Sequence, residues 1–165
     1  MHLKLTNGTP AKYTLGQLRR HNPQTSFPKL IPDDLLASYD VYPYTRPAVP
    51  EYESLSHRLT DGAFEQVDGA WFLPYVVEQL PQDQAERNIR SRRDSLLQET
   101  DWIVIKSYER GQNIPAEWEL YRHSLRGITE QAGFPYEVTW PVNPQDQQAE
   151  INAETLIGAV GNDTI

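Results

Sequence analysis

Apolar and polar residues alternate in His2-Leu3-Lys4-Leu5-Thr6, which predicts a short strand. Asn7-Gly8 has the chemistry of a tight hairpin turn, and Ala11-Lys12-Tyr13 is the expected return. The period then changes. Thr14-Leu15-Gly16-Gln17 matches a capping box, so a helix is predicted over Leu15–His21, stopped by Asn22-Pro23. A second short helix is expected over Asp33–Tyr39, with Asp33 and Asp34 at its positive N-terminal end. Val41–Pro47 reads as extended. Pro43, Pro47 and Pro50 make residues 43–52 the candidate linker or edge strand. Tyr39, Tyr42 and Tyr44 either form a contact surface or cover a sheet edge as a small aromatic cluster.

A β-meander is expected next. Asp61-Gly62 and Asp68-Gly69 each carry hairpin-turn chemistry, joining strands near 55–60, 63–67 and 70–79. In the last strand Trp71, Leu73, Tyr75 and Val77 share one face, and Phe72 and Val76 the other. Apolar side chains on both faces call for burial or for a partner. Pro74 breaks the ladder, so an edge or a bulge is expected there.

Beyond Pro81 the helical period takes over. A polar helix is predicted over about 82–99, with Ala85, Ile89, Arg93, Leu96 and Leu97 as its apolar stripe. Its arginine run, Arg87 to Arg93, reads as a solvated face paired with Glu86 and Asp94. Ile103-Val104-Ile105 is too short to assign and falls in the expected connection. Pro115 opens a second helix over about 115–131, in which Trp118, Tyr121, Leu125 and Ile128 recur at helical spacing. Gly127 inside it would weaken it by up to ~1 kcal/mol relative to alanine, and Gly133 is the expected stop. Val138 and Trp140 read as a short extended return. The two helices make a hairpin in which Asp101 faces Arg122 or Arg126, and Trp102, Trp118, Tyr121 and Trp140 share an aromatic cluster.

The pattern weakens after Pro144, read as a stop. Ile151, Leu156, Ile157 and Val160 are apolar but too few to build a core, so residues 145–165 are expected to order only against a partner. The fold class is therefore α+β: a small N-terminal β-rich region with short helices and a β-meander (1–80), a C-terminal helical hairpin (81–144) and an extended acidic tail (145–165).

Composition narrows the functions. The chain has 165 residues, 38% hydrophobic, with net charge −8 and mean hydropathy −0.65. So acidic a chain is a poor ligand for nucleic acid, whose nonspecific binding draws on Lys and Arg. Asp146, Glu150, Glu154 and Asp163 leave the C-terminal end without a balancing cation. No apolar run approaches the ~20 residues of a membrane span, and Met1-His2-Leu3-Lys4 leads into no signal-like apolar stretch. A soluble protein is expected. The lack of cysteine excludes thiolate zinc sites and cysteine nucleophiles. His2, His21, His57 and His123 share no ligand spacing, and no phosphate-binding glycine loop or nucleophile elbow is present. Neither a cofactor nor an enzymatic activity is expected.

The residues that stand out are Leu96, Leu97, Thr100, Asp101 and Trp102, then Trp118, Tyr121, Arg122, Leu125 and Arg126, then Gly133-Phe134-Pro135 and Trp140-Pro141. This succession resembles the C-terminal region of bacteriophage tail-fibre assembly chaperones, with an Arg-rich helix ending in Leu-Leu-x-x-Thr-Asp-Trp, then Trp-x-x-Tyr-Arg-x-x-Leu-Arg, Gly-Phe-Pro and Trp-Pro. The N-terminal part is similar to a second phage-associated pattern through Tyr13–Arg20, Asn22-Pro23, Ser26-Phe27-Pro28, Ile31-Pro32 and Tyr42-Pro43. Together the resemblances span about 1–45 and 93–144. Gly127 departs from the family's frequent Asp, and nothing after Pro144 has a counterpart.

The resemblance implies a non-enzymatic protein that binds a tail fibre, the trimeric receptor-binding protein, and assists its folding or trimerisation in the host cytoplasm. The alternative it implies is a permanent tail or baseplate component retained in the virion. Other tail proteins or a second copy of the chain are further expected partners, with no nucleic acid and no membrane among them. Tyr42, Tyr44, Trp71, Phe72, Ile151, Leu156 and Val160 are the candidate partner contacts. Asp101, Trp102, Trp118, Tyr121, Arg122, Leu125, Arg126, Phe134 and Trp140 are expected to hold the fold of the motif region.

Overall fold

The computed structural model describes residues 1–147 and Ala149. Its class is α+β, with strands gathered in the N-terminal part and the long helices after them. The chain divides into two compact units. Unit 1 takes Met1–Tyr52 and Arg58–Glu78; unit 2 takes Glu53–His57 and Gln79 onward.

Unit 1 begins with β1 (His2–Thr6) and β2 (Thr9–Tyr13), paired antiparallel across the Asn7-Gly8 turn. Both turn residues have positive φ, 51° at Asn7 and 79° at Gly8, as the right-handed twist of a two-residue hairpin demands. The capping box is present: the Thr14 hydroxyl accepts from the Gln17 N–H at 3.1 Å, and the Thr14 N–H donates to Gln17 Oε1 at 2.8 Å. It starts α1 (Leu15–His21), and α2 (Asp33–Ala37) follows.

The extended segment is β3 (Val41–Thr45), and it lies at the middle of the five-stranded sheet β2-β1-β3-β6-β5. This corrects the expected linker or edge. Pro43 is tolerated because successive N–H groups in a strand point to opposite sides. The Tyr44 N–H reaches Met1 O on the β1 side at 3.0 Å. The donor Pro43 lacks would point the other way, where β6 pairs only with Tyr44 and Thr45. Alternation along β3 then divides the core. Val41 joins Leu18, Ile31 and Leu36 beneath α1 and α2, whereas Tyr44 joins Leu3 and Leu73 on the opposite face.

The meander is also corrected. β4 (His57–Asp61) pairs with β7 (Tyr75–Gln79), while β5 (Glu65–Val67) and β6 (Ala70–Phe72) form a hairpin nested between them. Asp68-Gly69 is the turn of that hairpin, with φ of 49° and 80°. Asp61-Gly62 is no turn of this kind. The Asp61 carboxylate ends β4 in ion pairs with Lys12 and with Arg46, the latter at 2.7 Å. A Cβ on Gly62 would lie 3.0 Å from Pro74 Cγ and 3.2 Å from Val76 Cγ2, so glycine serves close approach there. Pro74 separates β6 from β7 and so passes the chain from one sheet to the other.

Unit 2 is helical. α3 (Gln82–Glu99) buries Ala85 and Ile89, and its outer face carries the Arg87–Asp83 and Arg90–Glu86 pairs, each at 2.7 Å. The Gln82 amide and the Arg90 guanidinium hold the Glu86 carboxyl below its ordinary range. The unassigned Ile103-Val104-Ile105 lies in a further helix, α4 (Asp101–Glu109), so three helices stand where a hairpin of two is expected. Ile103 and Ser107 are its buried positions, one turn apart.

α5 (Ala116–Arg126) ends sooner than expected. Gly127 is its C-cap, and Gly127–Glu130 continue as a 3-10 turn. Gly133 is therefore not the helix stop. Its carbonyl accepts the N–H groups of Tyr136 and Glu137 at 2.9 and 2.7 Å, and a Cβ there would fall 2.5 Å from Glu137 O. The return near Thr139 is not a strand. Its backbone is bridged by the Gln131 amide, which accepts the Thr139 N–H at 2.8 Å and donates to Thr139 O at 2.9 Å. Residues 144–147 are helical, with the Gln145 N–H on Asn143 Oδ1 at 2.9 Å, so Pro144 starts a turn rather than ending one. The core joins Ile89, Ile103, Trp118, Tyr121, Leu125 and Ile128. The Glu53–His57 segment is tied to it by Asn88 Nδ2, which donates to Leu55 O at 2.9 Å.

Candidate partner-binding surface

Thr100 interrupts two helices that would otherwise be one. At φ −108° and ψ 3° it ends α3 and precedes α4. A helix end leaves carbonyls without partners, and here it falls at Thr100, which is 2% exposed. The Thr100 hydroxyl donates to Leu97 O at 2.8 Å. Arg122 supplies the rest from α5. Its Nη1 donates to Leu97 O at 2.9 Å and to Thr100 Oγ1 at 2.5 Å, and its Nη2 to Asp101 Oδ1 at 2.9 Å. The guanidinium also sits at the negative end of α3, where a cation is favoured. Of the two arginines considered, Arg122 is buried and meets Asp101, while Arg126 is exposed one turn further on.

The aromatic residues divide around this clamp. Trp118 is 9% exposed and Tyr121 4%; their rings meet edge to face at 6.1 Å, and Leu125 is fully buried. Trp102 packs its edge toward Trp118 at 6.4 Å yet stays 48% exposed. Phe134 lies beneath Arg90, whose guanidinium is 5.4 Å from the ring, and Trp140 is partly buried against the same core.

The outer side of α4 presents Trp102, Ile105 and Tyr108, three residues apart and so on one helical face. Ile105 is 57% exposed and Tyr108 87%. Lys106 lies 5.4 Å over the Trp102 ring. Sequence reasoning missed this face because Ile103–Ile105 is β-branched, uncapped and bounded by no turn residue, signals that favour neither helix nor strand. A second feature of unit 2, a groove of ≈ 460 Å³ beside Tyr121 and Trp140, draws its walls from segments far apart in sequence and so had no local signal.

The residues expected to touch a partner fall in different places. Tyr44 is buried in unit 1 and packs edge to face with Phe64 at 5.0 Å. Tyr42 and Trp71 are partly exposed and pack against the same cluster; Phe72 is also partly exposed. Ile151, Leu156 and Val160 lie outside the described residues. Among the described residues no group of three His, Asp or Glu side chains is placed to hold a metal ion. His21 accepts or donates to the Tyr13 hydroxyl at 2.8 Å, and His57 is engaged by the buried Ser56 hydroxyl at 2.9 Å. No helix among the described residues is long and apolar enough to cross a membrane.

The motif residues thus enclose one structural device: α3, its break at Thr100, α4 and α5, locked by Arg122. Residues 86–145, which hold all of that device but the first turn of α3 and make up well under half of the chain, match the family model described as phage tail assembly chaperone protein. No curated protein and no solved structure matches the chain.

Proposed function

We propose, from the match of residues 86–145 to the phage tail assembly chaperone model, that this chain is a non-enzymatic chaperone of the phage tail fibre. It binds the fibre, the receptor-binding protein, and assists its folding or trimerisation in the host cytoplasm. The observation that carries this reading is the family match over the clamp region. The exposed face of α4 within that region supports it, since large apolar side chains left at a surface suit a partner contact. Nothing in this role calls for a cofactor.

The test is co-expression with the tail-fibre protein encoded by the same phage, followed by affinity capture of this chain. Capture of the fibre, and release of the chain once the fibre is trimeric, is the expected result. A chain found at fixed stoichiometry in purified virions would instead make it a lasting part of the tail or baseplate.

A further inference from the structure

The α4 stripe is apolar but carries nothing that selects its occupant; the groove in unit 2 does. Its floor is Leu55, Leu96, Tyr121 and Trp140. Its rim carries three carboxylates, Glu53, Glu99 and Asp146, against one guanidinium, Arg92. Glu53 is fixed in place by accepting the Leu55 N–H at 3.0 Å. Glu99, Asp146 and Arg92 form no ion pair among the described residues. Arg92 is thus apart from its neighbours Arg87, Arg90 and Arg93, each of which is paired.

Tyr121 adds a polar group to the apolar floor. The residue is 4% exposed, yet its hydroxyl has no hydrogen-bond partner among the described residues and lines the groove. Burial pushes that hydroxyl's pKa up, Glu99 and Asp146 push the same way, and Arg92 pushes against them. No buried side-chain oxygen or nitrogen among the described residues is left without a partner, so this hydroxyl is reached by water in the groove, where an N–H donor of a ligand takes the water's place.

We propose that this groove seats a segment of the fibre partner in which a bulky apolar side chain is flanked by Lys or Arg. The assignment rests on the chaperone reading above. The apolar side chain covers Leu96 and Trp140, and the flanking cation meets Glu99 and Asp146 while donating to the Tyr121 hydroxyl. Charge selects this occupant over the chain's own end. Residues 150–165 carry Glu150, Glu154 and Asp163 and no Lys or Arg, so they would bring like charge to an acidic rim.

The probes are a short amphipathic peptide of Lys and Leu and its twin with Glu for each Lys, titrated into the isotope-labelled full chain. The Lys peptide is expected to shift the Trp140 indole N–H and the resonances of Tyr121; the Glu twin is expected to shift neither. Glu99→Lys with Asp146→Lys should weaken the Lys peptide by about five-fold or more, from the loss of two exposed attractions. Glu51→Lys with Glu65→Lys makes the same change in net charge elsewhere and should weaken it by no more than about two-fold. All four positions are exposed, so the melting midpoint should hold in both variants. Equal weakening by the two pairs, or shifts centred away from Trp140, would overturn the proposal. So would binding that appears only in a chain ending at Gln147, which would assign the groove to the chain's own end. The fibre capture separates the two readings. Fibre held equally well by wild type and by the Glu99→Lys, Asp146→Lys variant overturns the groove and leaves the chaperone intact; no capture by wild type overturns both.

Discussion

Arg122 carries more of unit 2 than its partner Asp101 does. The guanidinium is buried and serves three acceptors, two of them at the break between α3 and α4. The Asp101 side chain is 56% exposed. Asp101→Asn should therefore cost ~0–1 kcal/mol, as for an exposed pair. Arg122→Met should cost ~1–3 kcal/mol, because it strips the acceptors at the helix break of a donor. Arg122→Lys should recover little, since an ammonium lacks the planar fork that spans Leu97 O and Asp101 together. Denaturant unfolding of the three variants checks the order; equal losses for Asp101→Asn and Arg122→Met would contradict it. The two glycines of this region separate as sharply. A Cβ on Gly127 meets nothing within 4 Å at φ −78°, so Gly127→Ala should stabilise by ~0.4–1 kcal/mol. Gly133→Ala drives a methyl into the Glu137 backbone and should cost ~1–3 kcal/mol. Melting of both variants decides, and a neutral Gly133→Ala would remove the close-approach argument.

At the scale of elements, what a sequence shows depends on whether the signal is local. The β1–β2 hairpin, α1 and the start of α3 were legible because Asn7-Gly8, the Thr14–Gln17 box and Pro81 each act within a few residues. The clamp was legible in part. Asp101 is expected to face Arg122 or Arg126, and which arginine is inward depends on where α3 ends against α5. Strand pairing was not legible: Asp61-Gly62 has turn chemistry, and only the distant Lys12, Arg46 and Pro74 show why it does something else. The central place of β3 was hidden by Pro43, whose missing donor matters only once the neighbours are known. α4 was hidden by its own composition, and the groove by its dispersed walls. The inside and outside of the α4–α5 pair make a testable contrast. Trp118→Ala should cost ~3–5 kcal/mol and much of the soluble yield. Trp102→Ala should cost ~0.5–1.5 kcal/mol, the worth of one edge-to-face contact. An unchanged melting midpoint for Trp118→Ala would refute this core.

At the scale of the molecule, the chain joins a β-rich unit to a helical unit that contains the residues matching the phage tail assembly chaperone model. The helical unit keeps its aromatic interior closed through Arg122 and leaves apolar side chains of α4 and an acid-rimmed groove at its surface. Such a surface fits the proposed work by contact. A releasable contact suits an assembly helper, since affinity is a surplus over ordering and desolvation costs rather than a measure of area. The most direct test is the yield of soluble trimeric tail fibre made with and without this chain, read by size-exclusion chromatography with light scattering. Trimer should rise clearly when wild type is co-expressed and rise little with Arg122→Met. A fibre that trimerises equally well in the chain's absence would contradict the chaperone reading.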